Sequence, residues 1–276
     1  MSIRYVFTDV DLTLMGRDHV LTKENVEAIK KVKELGIAFY IQSGRLPCAL
    51  NEVLDPLAIN HKDDEYMICG NGAIICDTNG HFYTDHHMDK AIVLELIDYF
   101  SSIDGCVFSI VSDRMYYSSG NLISISRNTS KVVEVVTIER MKEIVEEDNI
   151  YKILVQHSDY EVMKEMAAKV GEVTDGTVAP TFSAIDNLEI INSDVSKGNG
   201  MKEFCEMMNI DPGEILAIGD NYNDESMIDF SGYSACPSNA VEELKKKCDY
   251  VSKYDCTQSA VADILNKLII SKEGGR

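Results

Sequence analysis

The 276-residue sequence has no tryptophan, only five prolines and no run of eighteen apolar residues. Without such a run it offers no candidate membrane-spanning helix. The N-terminus lacks a basic stretch followed by an apolar segment and leads directly into a strand, so no export signal is read and the expected location is cytoplasmic. Basic residues are also scarce. Twenty-six Lys and Arg face 46 Asp and Glu, a formal net charge of -20, which repels a polyanionic backbone. That field argues against nucleic acid or an anionic membrane as the main partner. A small anionic ligand remains admissible where local donors and a cation work against the field. The cysteines, Cys48, Cys69, Cys76, Cys106, Cys205, Cys236, Cys248 and Cys256, form no CxxC pair, and their apolar or helical surroundings fit reduced, partly buried thiols. No internal repeat or low-complexity tract is found.

What remains is the composition of a folded chain, 45% hydrophobic and 26% charged, long enough for two domains or for one domain with a large insertion. The pattern favours the insertion. Arg4 to Thr8 reads as a buried strand, Lys23 to Leu35 as an amphipathic helix capped by Thr22 and stopped by Gly36, and Ile37 to Gln42 as a second strand before a helix around Leu46 to Leu54. Strand and helix in alternation, joined by short connections, imply a parallel sheet covered on both faces. After a turn at Gly70 to Gly72 and a hairpin through Asp77 to Gly80, the texture changes. Residues 84–190 read as a separate α+β module with antiparallel pairing, including a strand at Leu122 to Ser126. The first rhythm then returns, with a helix from about Lys197, the strand "EILAIG", and a last helix at Thr257 to Ile269. The expected organisation is a core of residues 1–83 and 191–276 interrupted by an insertion at 84–190.

Ligands of open parallel sheets gather beyond the C-terminal ends of the strands. Three such ends carry unusual polar groups: Asp9 and Asp11 in "VFTDVDLTL", Ser43 with Gly44 and Arg45 in "SGR", and Asp220 through Asp224 in "GDNYND". Lys197 opens a helix between them. Taken singly, each has a bland alternative as a cap, a turn or a surface charge. Together they suit one chemistry. Clustered carboxylates repel one another unless a hard cation such as Mg2+ neutralises them, and that ion also accepts phosphate oxygens. A carboxylate not fully committed to the ion could attack phosphorus in line and form an aspartyl-phosphate. Ser43, backbone N–H groups near Thr13 and Gly44, and the Lys197 ammonium could hold the equatorial oxygens. A second carboxylate two residues on could serve as acid and then base.

"DVDLT", "SGR", the lysine of "SKGNG" and "GDNYND", in that order, resemble the four motifs of the haloacid dehalogenase-like (HAD) phosphatases, and the large insertion resembles their Cof-type subclass with a type 2B cap. The resemblance implies a Rossmann-like α/β core with an inserted α+β cap. It also implies a Mg2+-dependent phosphomonoester hydrolase acting on sugar phosphates, cofactor phosphates or similar metabolites. By the same resemblance Asp9 matches the nucleophile and a metal ligand, and Asp11 the acid/base, whose backbone carbonyl also meets the metal. Ser43 and Lys197 match the phosphate-holding pair beside Gly44, and Asp220 and Asp224 match the metal-shell carboxylates. Thr13, Arg45, Asn71 and Asn223 are supporting residues, Thr13 locking the turn, Arg45 forming a structural salt bridge and Asn223 orienting Asp224. Leu12 stands where the family usually has glycine, and Ser43 where threonine is commoner. The cap would supply specificity; Arg114, Tyr116, Tyr117, Arg127, His157 and Asp186 are polar or aromatic groups near strand ends, each read as surface or packing rather than ligand contact. His86 and His87, adjacent and without a fixed third ligand, make a weak metal signal. Alternatives are a phosphomutase or phosphotransferase on sugar phosphates, and a non-catalytic phosphate-binding protein. The expected assembly is a monomer or weak homodimer.

Overall fold

The computed structural model describes residues 2–16, 19–62, 65–122, 132–184 and 187–271. Along the chain the core begins with β1 (Tyr5–Thr8), α1 (Lys23–Glu34), β2 (Ala38–Gln42), α2 (Asn51–Leu57), β3 (Tyr66–Cys69), β4 (Ile74–Asp77) and β5 (Phe82–Asp85). There follow α3 (Lys90–Ser101), β6 (Val107–Val111), β7 (Tyr116–Ser118), β8 (Val133–Val135), α4 (Ile138–Glu147), β9 (Lys152–Gln156), α5 (Tyr160–Val173), β10 (Val178–Ala184) and β11 (Asn187–Asn192). The core resumes with α6 (Lys197–Met208), β12 (Ile215–Ile218), α7 (Glu225–Phe230), β13 (Tyr233–Cys236), α8 (Glu242–Lys247), β14 (Tyr250–Val251) and α9 (Ala260–Leu265). Two compact units result. One comprises residues 1–45, 51–84 and 196–276; the other comprises 46–50 and 85–195, Leu46–Leu50 being tied to it through Cys48 N donating to the Asp113 carbonyl at 3.3 Å.

The first unit is built on a sheet in the order β14-β13-β12-β1-β2-β3-β4-β5. Strands β13, β12, β1, β2 and β3 run parallel, and β4 turns back antiparallel to β3. Val6 and Phe7 are fully buried, as a central strand covered on both faces requires. One face packs Phe7, Tyr40, Ile68, Ile75 and Ala217 against Met201 and Phe204 of α6, with Phe204 and Tyr40 ring centroids 5.0 Å apart. α1 and α9 pack together, and buried Asn25 donates to Leu14 O at 2.9 Å while accepting from Ala262 N at 2.8 Å. That one side chain therefore ties the loop after β1 to α9.

The second unit has a sheet in the order β10-β11-β9-β6-β7-β8. Its pairs are antiparallel except β7 with β8, which are parallel and so depart from the expected pairing. Phe108, Ile110, Ile153, Val155, Leu188 and Ile190 alternate onto one face and bury against Leu96, Phe100, Met141, Val145, Met163 and Val170 of the three helices. Two other local expectations change. Instead of one helix from Leu46, a short turn at Pro47–Ala49 precedes α2. The last helix is likewise broken, because Ser259 is left-handed at φ 65 and residues Asn266–Ile270 form a wider π turn. The strand expected at Leu122 to Ser126 falls mostly outside the described residues, as do Arg127 and Asp186.

Glycines set the position of α6. A Cβ on Gly72 would lie 2.2 Å from the Ser196 carbonyl oxygen, and Gly72 has φ +106; one on Gly200 would lie 2.6 Å from Gly72 Cα. The 70–72 turn and the start of α6 thus meet backbone to backbone. Gly72→Ala should lower stability by more than about 2 kcal/mol through overpacking and strain. Gly36→Ala, at φ +78 with nothing within 4 Å, should cost only about 1 kcal/mol. Urea unfolding of the two variants checks the difference, and equal losses would show that the close approach is not a constraint.

Candidate active site

Strands β12, β1 and β2 are neighbours, and β1 is the point from which the chain moves outward in both directions. Their C-terminal ends therefore share one edge at a topological switch point. The registers pair Thr8 with both Ile41 and Ile218, which places Asp9, Ser43 and Asp220 just beyond that edge. Asp9 N donates to Ile218 O at 2.8 Å, extending the ladder to the carboxylate-bearing residue itself.

Asp9, Asp220 and Asp224 are buried, and each offers a carboxylate oxygen within 4.8 Å of the others. The single described cation among them is Lys197, fully buried, whose Nζ donates to Asp9 Oδ1 and to Asp224 Oδ1. Ser196 caps α6 by accepting from Asn199 N, so the lysine leaves the first helical position at a fixed angle. The remaining oxygens are divided unequally. Asp224 Oδ2 accepts from Asp220 N at 2.8 Å and Asn221 N at 3.1 Å, which commits that carboxylate to its own loop. Gly219 makes this possible, since a Cβ there would lie 2.5 Å from Asp224 Cβ. Thr13 Oγ1 donates to Asp220 Oδ1 at 2.8 Å, tying the loop after β1 to the loop after β12. Among the described residues no donor is assigned to Oδ2 of Asp9 or Asp220.

Burial first, and then excess negative charge, shape the electrostatics. Burial, then Asp224, pushes Asp220 up to about 7, and the Thr13 bond offsets only part of this. Asp9 is raised well above the usual carboxylate range by burial; Lys197 pulls it down, but Asp224, Asp220 and Asp11 push it back up. Burial would lower Lys197, yet Asp224 and Asp9 outweigh it and hold the ammonium above its ordinary value. Three buried carboxylates against one ammonium form a donor set of hard oxygens with charge to spare, which fits a small divalent cation.

Ser43 is buried, its Oγ accepting from Arg45 N at 3.1 Å, and its hydroxyl hydrogen is free to turn to a ligand. The "GNG" turn clasps the same segment: Gly70 N donates to Arg45 O at 2.8 Å and Asn71 N to Ser43 O at 3.0 Å. A Cβ on Gly44 would lie 2.9 Å from Asn71 Oδ1, the oxygen that accepts from Asn223 Nδ2 at 3.1 Å. Asn223 thus reaches Asn71, where orientation of Asp224 was expected. Asp11 stands apart from the three clustered carboxylates, paired instead with Arg45. In the second unit, Tyr116 is buried, Tyr117 packs on the apolar cluster, His157 Nε2 lies 3.1 Å from Asp104 O, and Arg114 pairs with Asp113. His87 pairs with Asp85 at 3.0 Å. Residues missed in the sequence include His19 and Glu52, both on Arg45, and Asn239, whose Nδ2 donates to Leu12 O at 2.8 Å.

The profile of the haloacid dehalogenase-like hydrolases matches residues 6–265. The chain belongs to that family. Across 97% of its length it is 26% identical to the 5-amino-6-(5-phospho-D-ribitylamino)uracil phosphatase YwtE of Bacillus subtilis, covering 98% of that protein. The phosphatase YwpJ of the same organism is 24% identical over 91% of the chain and 94% of its own length. A haloacid dehalogenase-like hydrolase from Bacteroides thetaiotaomicron has the same fold, with a TM-score of 0.86 at 19% identity, covering 97% of this chain and 100% of that one. The protein is a HAD phosphatase of the Cof type. No described helix is long and apolar enough to cross a membrane.

The family's usual glycine has a structural counterpart here. Leu12 sits at φ 62, in the left-handed region that favours glycine, in a turn closed by Leu12 N to Met15 O at 2.8 Å. A leucine there carries about 1–2 kcal/mol of strain, against roughly 0.5–1 kcal/mol of added chain entropy when glycine replaces it. Leu12→Gly should therefore leave stability unchanged or raise it by up to about 1 kcal/mol. A loss above about 2 kcal/mol in thermal or urea unfolding would show that the leucine side chain is a packing element.

Proposed function

We propose that this phosphatase hydrolyses phosphomonoesters of small metabolites, sugar phosphates or cofactor phosphates, through an aspartyl-phosphate on Asp9. The observation that carries the proposal is the asymmetric occupation of the Asp9 carboxylate. Lys197 holds Oδ1 while Oδ2 has no described donor, so one oxygen is fixed and the other is available for in-line attack. Asp9 Oδ2 bonds to phosphorus as the bond to the leaving oxygen breaks, and Asp11 gives that oxygen a proton. Water then attacks the phosphorus, Asp11 takes the proton from it, and Asp9 is released with phosphate. Ser43 Oγ–H and the Lys197 ammonium are the groups placed to hold phosphate oxygens as their charge shifts. Asp224, occupied by Lys197 and two backbone N–H groups, keeps the lysine and the 220–224 loop in register.

Asp9, Asp220 and the Asp11 carbonyl would hold Mg2+, with Asp224 behind them; when bound, the ion neutralises the carboxylates and admits a phosphate dianion to a strongly acidic protein. By resemblance, residues 84–190 act as a type 2B cap selecting the part of the substrate beyond phosphate. A cytoplasmic setting agrees with the eight free thiols. YwtE's named substrate is one candidate within the cofactor-precursor class, and a panel of phosphorylated metabolites would place this enzyme within it.

Asp9→Asn should reduce hydrolysis of 4-nitrophenyl phosphate in Mg2+ by at least about 10³-fold with the fold intact by circular dichroism, and chelation of Mg2+ should abolish wild-type turnover. Activity surviving in Asp9→Asn would overturn the assigned nucleophile.

A further inference from the structure

Arg45 is committed on every side of its guanidinium. Nε donates to Asp11 Oδ2 at 2.8 Å and Nη2 to Asp11 Oδ1 at 2.6 Å, a two-pronged fork across the whole carboxylate. Nη1 donates to Glu52 Oε1 at 2.5 Å. Nη2 also lies 2.9 Å from His19 Nδ1, which is placed to accept because a guanidinium only donates. Exposure is distributed unevenly within the pair: the arginine side chain is 9% exposed and the Asp11 side chain 46%. The arginine is thus a braced, buried anchor, whereas the aspartate would sample several rotamers without it.

Stabilising the fold is one reason for such an arrangement, since a bidentate pair within a charge network can contribute more than the roughly 1 kcal/mol of an ordinary exposed pair. Orientation is another. Each carboxylate oxygen has two acceptor positions, and the fork uses one on each. The remaining positions stay open to a ligand while the fork stays closed. We propose that Arg45 is a positioning residue for Asp11, holding its carboxylate in a single orientation for proton transfer, with Glu52 and His19 as braces that fix the guanidinium. The proposal rests on the reading of Asp11 as the proton-transfer group. Lysine cannot replace Arg45 fully, because a point charge restores attraction but not the two-point geometry.

The test is kcat/KM over a series of aryl phosphates, from 4-nitrophenyl, whose leaving oxygen needs little protonation, to phenyl, which needs it most. This parameter isolates the first chemical step from the water step common to all the substrates. Asp11→Asn should lose activity selectively on phenyl phosphate. Arg45→Gln should show the same selectivity, with a loss of about 10- to 100-fold on phenyl phosphate and less than about 3-fold on 4-nitrophenyl phosphate. Arg45→Lys should fall between wild type and Arg45→Gln. Glu52→Gln, which does not touch Asp11, should show the same signature at smaller amplitude, independent of any folding defect in the arginine variants. In an Asp11→Asn background, Arg45→Gln should add less than about 3-fold, because its target is gone. Equal losses on both esters, or full additivity with Asp11→Asn, would overturn the proposal while leaving Asp11 as the acid. An unselective Asp11→Asn would overturn both the acid reading and the role of Arg45.

Discussion

The site depends on one ammonium buried among carboxylates. Lys197 is fully enclosed, and removing a charge from water costs several kcal/mol unless opposite charge compensates. Asp9 and Asp224 supply that compensation, so the lysine is held from two sides and in turn fixes both. Because the carboxylates outnumber it, the cluster keeps a surplus of negative charge, which adds to burial in raising Asp220 and Asp9. The same surplus makes the cluster receptive to a divalent cation. Under the proposed function, a chain with net charge -20 prepares a place for phosphate by local arrangement, against its overall field.

Holding Lys197 at that point is a backbone problem, and the chain solves it with glycines. Gly72 and Gly200 let the 70–72 turn and α6 approach without side chains between them, Gly198 packs on Ser226, and Gly219 lets Asp224 fold back over its own strand. These contacts connect loops that are far apart in sequence. The turn that clasps the Ser43 segment also supports the helix bearing Lys197, and that helix rests on the loop bearing Asp224. Asp9, Ser43, Lys197 and the acidic loop are therefore one mechanical assembly at the edge of β12, β1 and β2.

Much of this was legible in the sequence because strand ends are. Apolar runs closing on Asp9, Ser43 and Asp220 announce the C-terminal edge of a parallel sheet, and the resemblance of the ordered motifs to a known family brought in Lys197. A helix with a clear cap, α1 behind Thr22, also fell where periodicity placed it. Interactions that depend on the fold rather than on a pattern were not readable. His19 and Glu52 carry no local signal and become informative only once Arg45 is seen between them and Asp11. Asn223 reaches Asn71 across the site, which no spacing rule foretells. The parallel pairing of β8 with β7, and Ser259's break ahead of α9, are tertiary outcomes that override local propensity. Leu12 was visible as an anomaly, but its meaning came from its left-handed backbone.

The account comes down to Asp9 acting as the group that receives the phosphoryl moiety while Lys197 fixes its other oxygen. The most direct measurement is rapid acid quench of the wild-type enzyme during turnover of a ³²P-labelled aryl phosphate, followed by peptide mapping of the label. The account predicts transient label on the peptide containing Asp9 and none in Asp9→Asn. Label on another residue, or turnover with no protein-bound phosphate at any time, would contradict it.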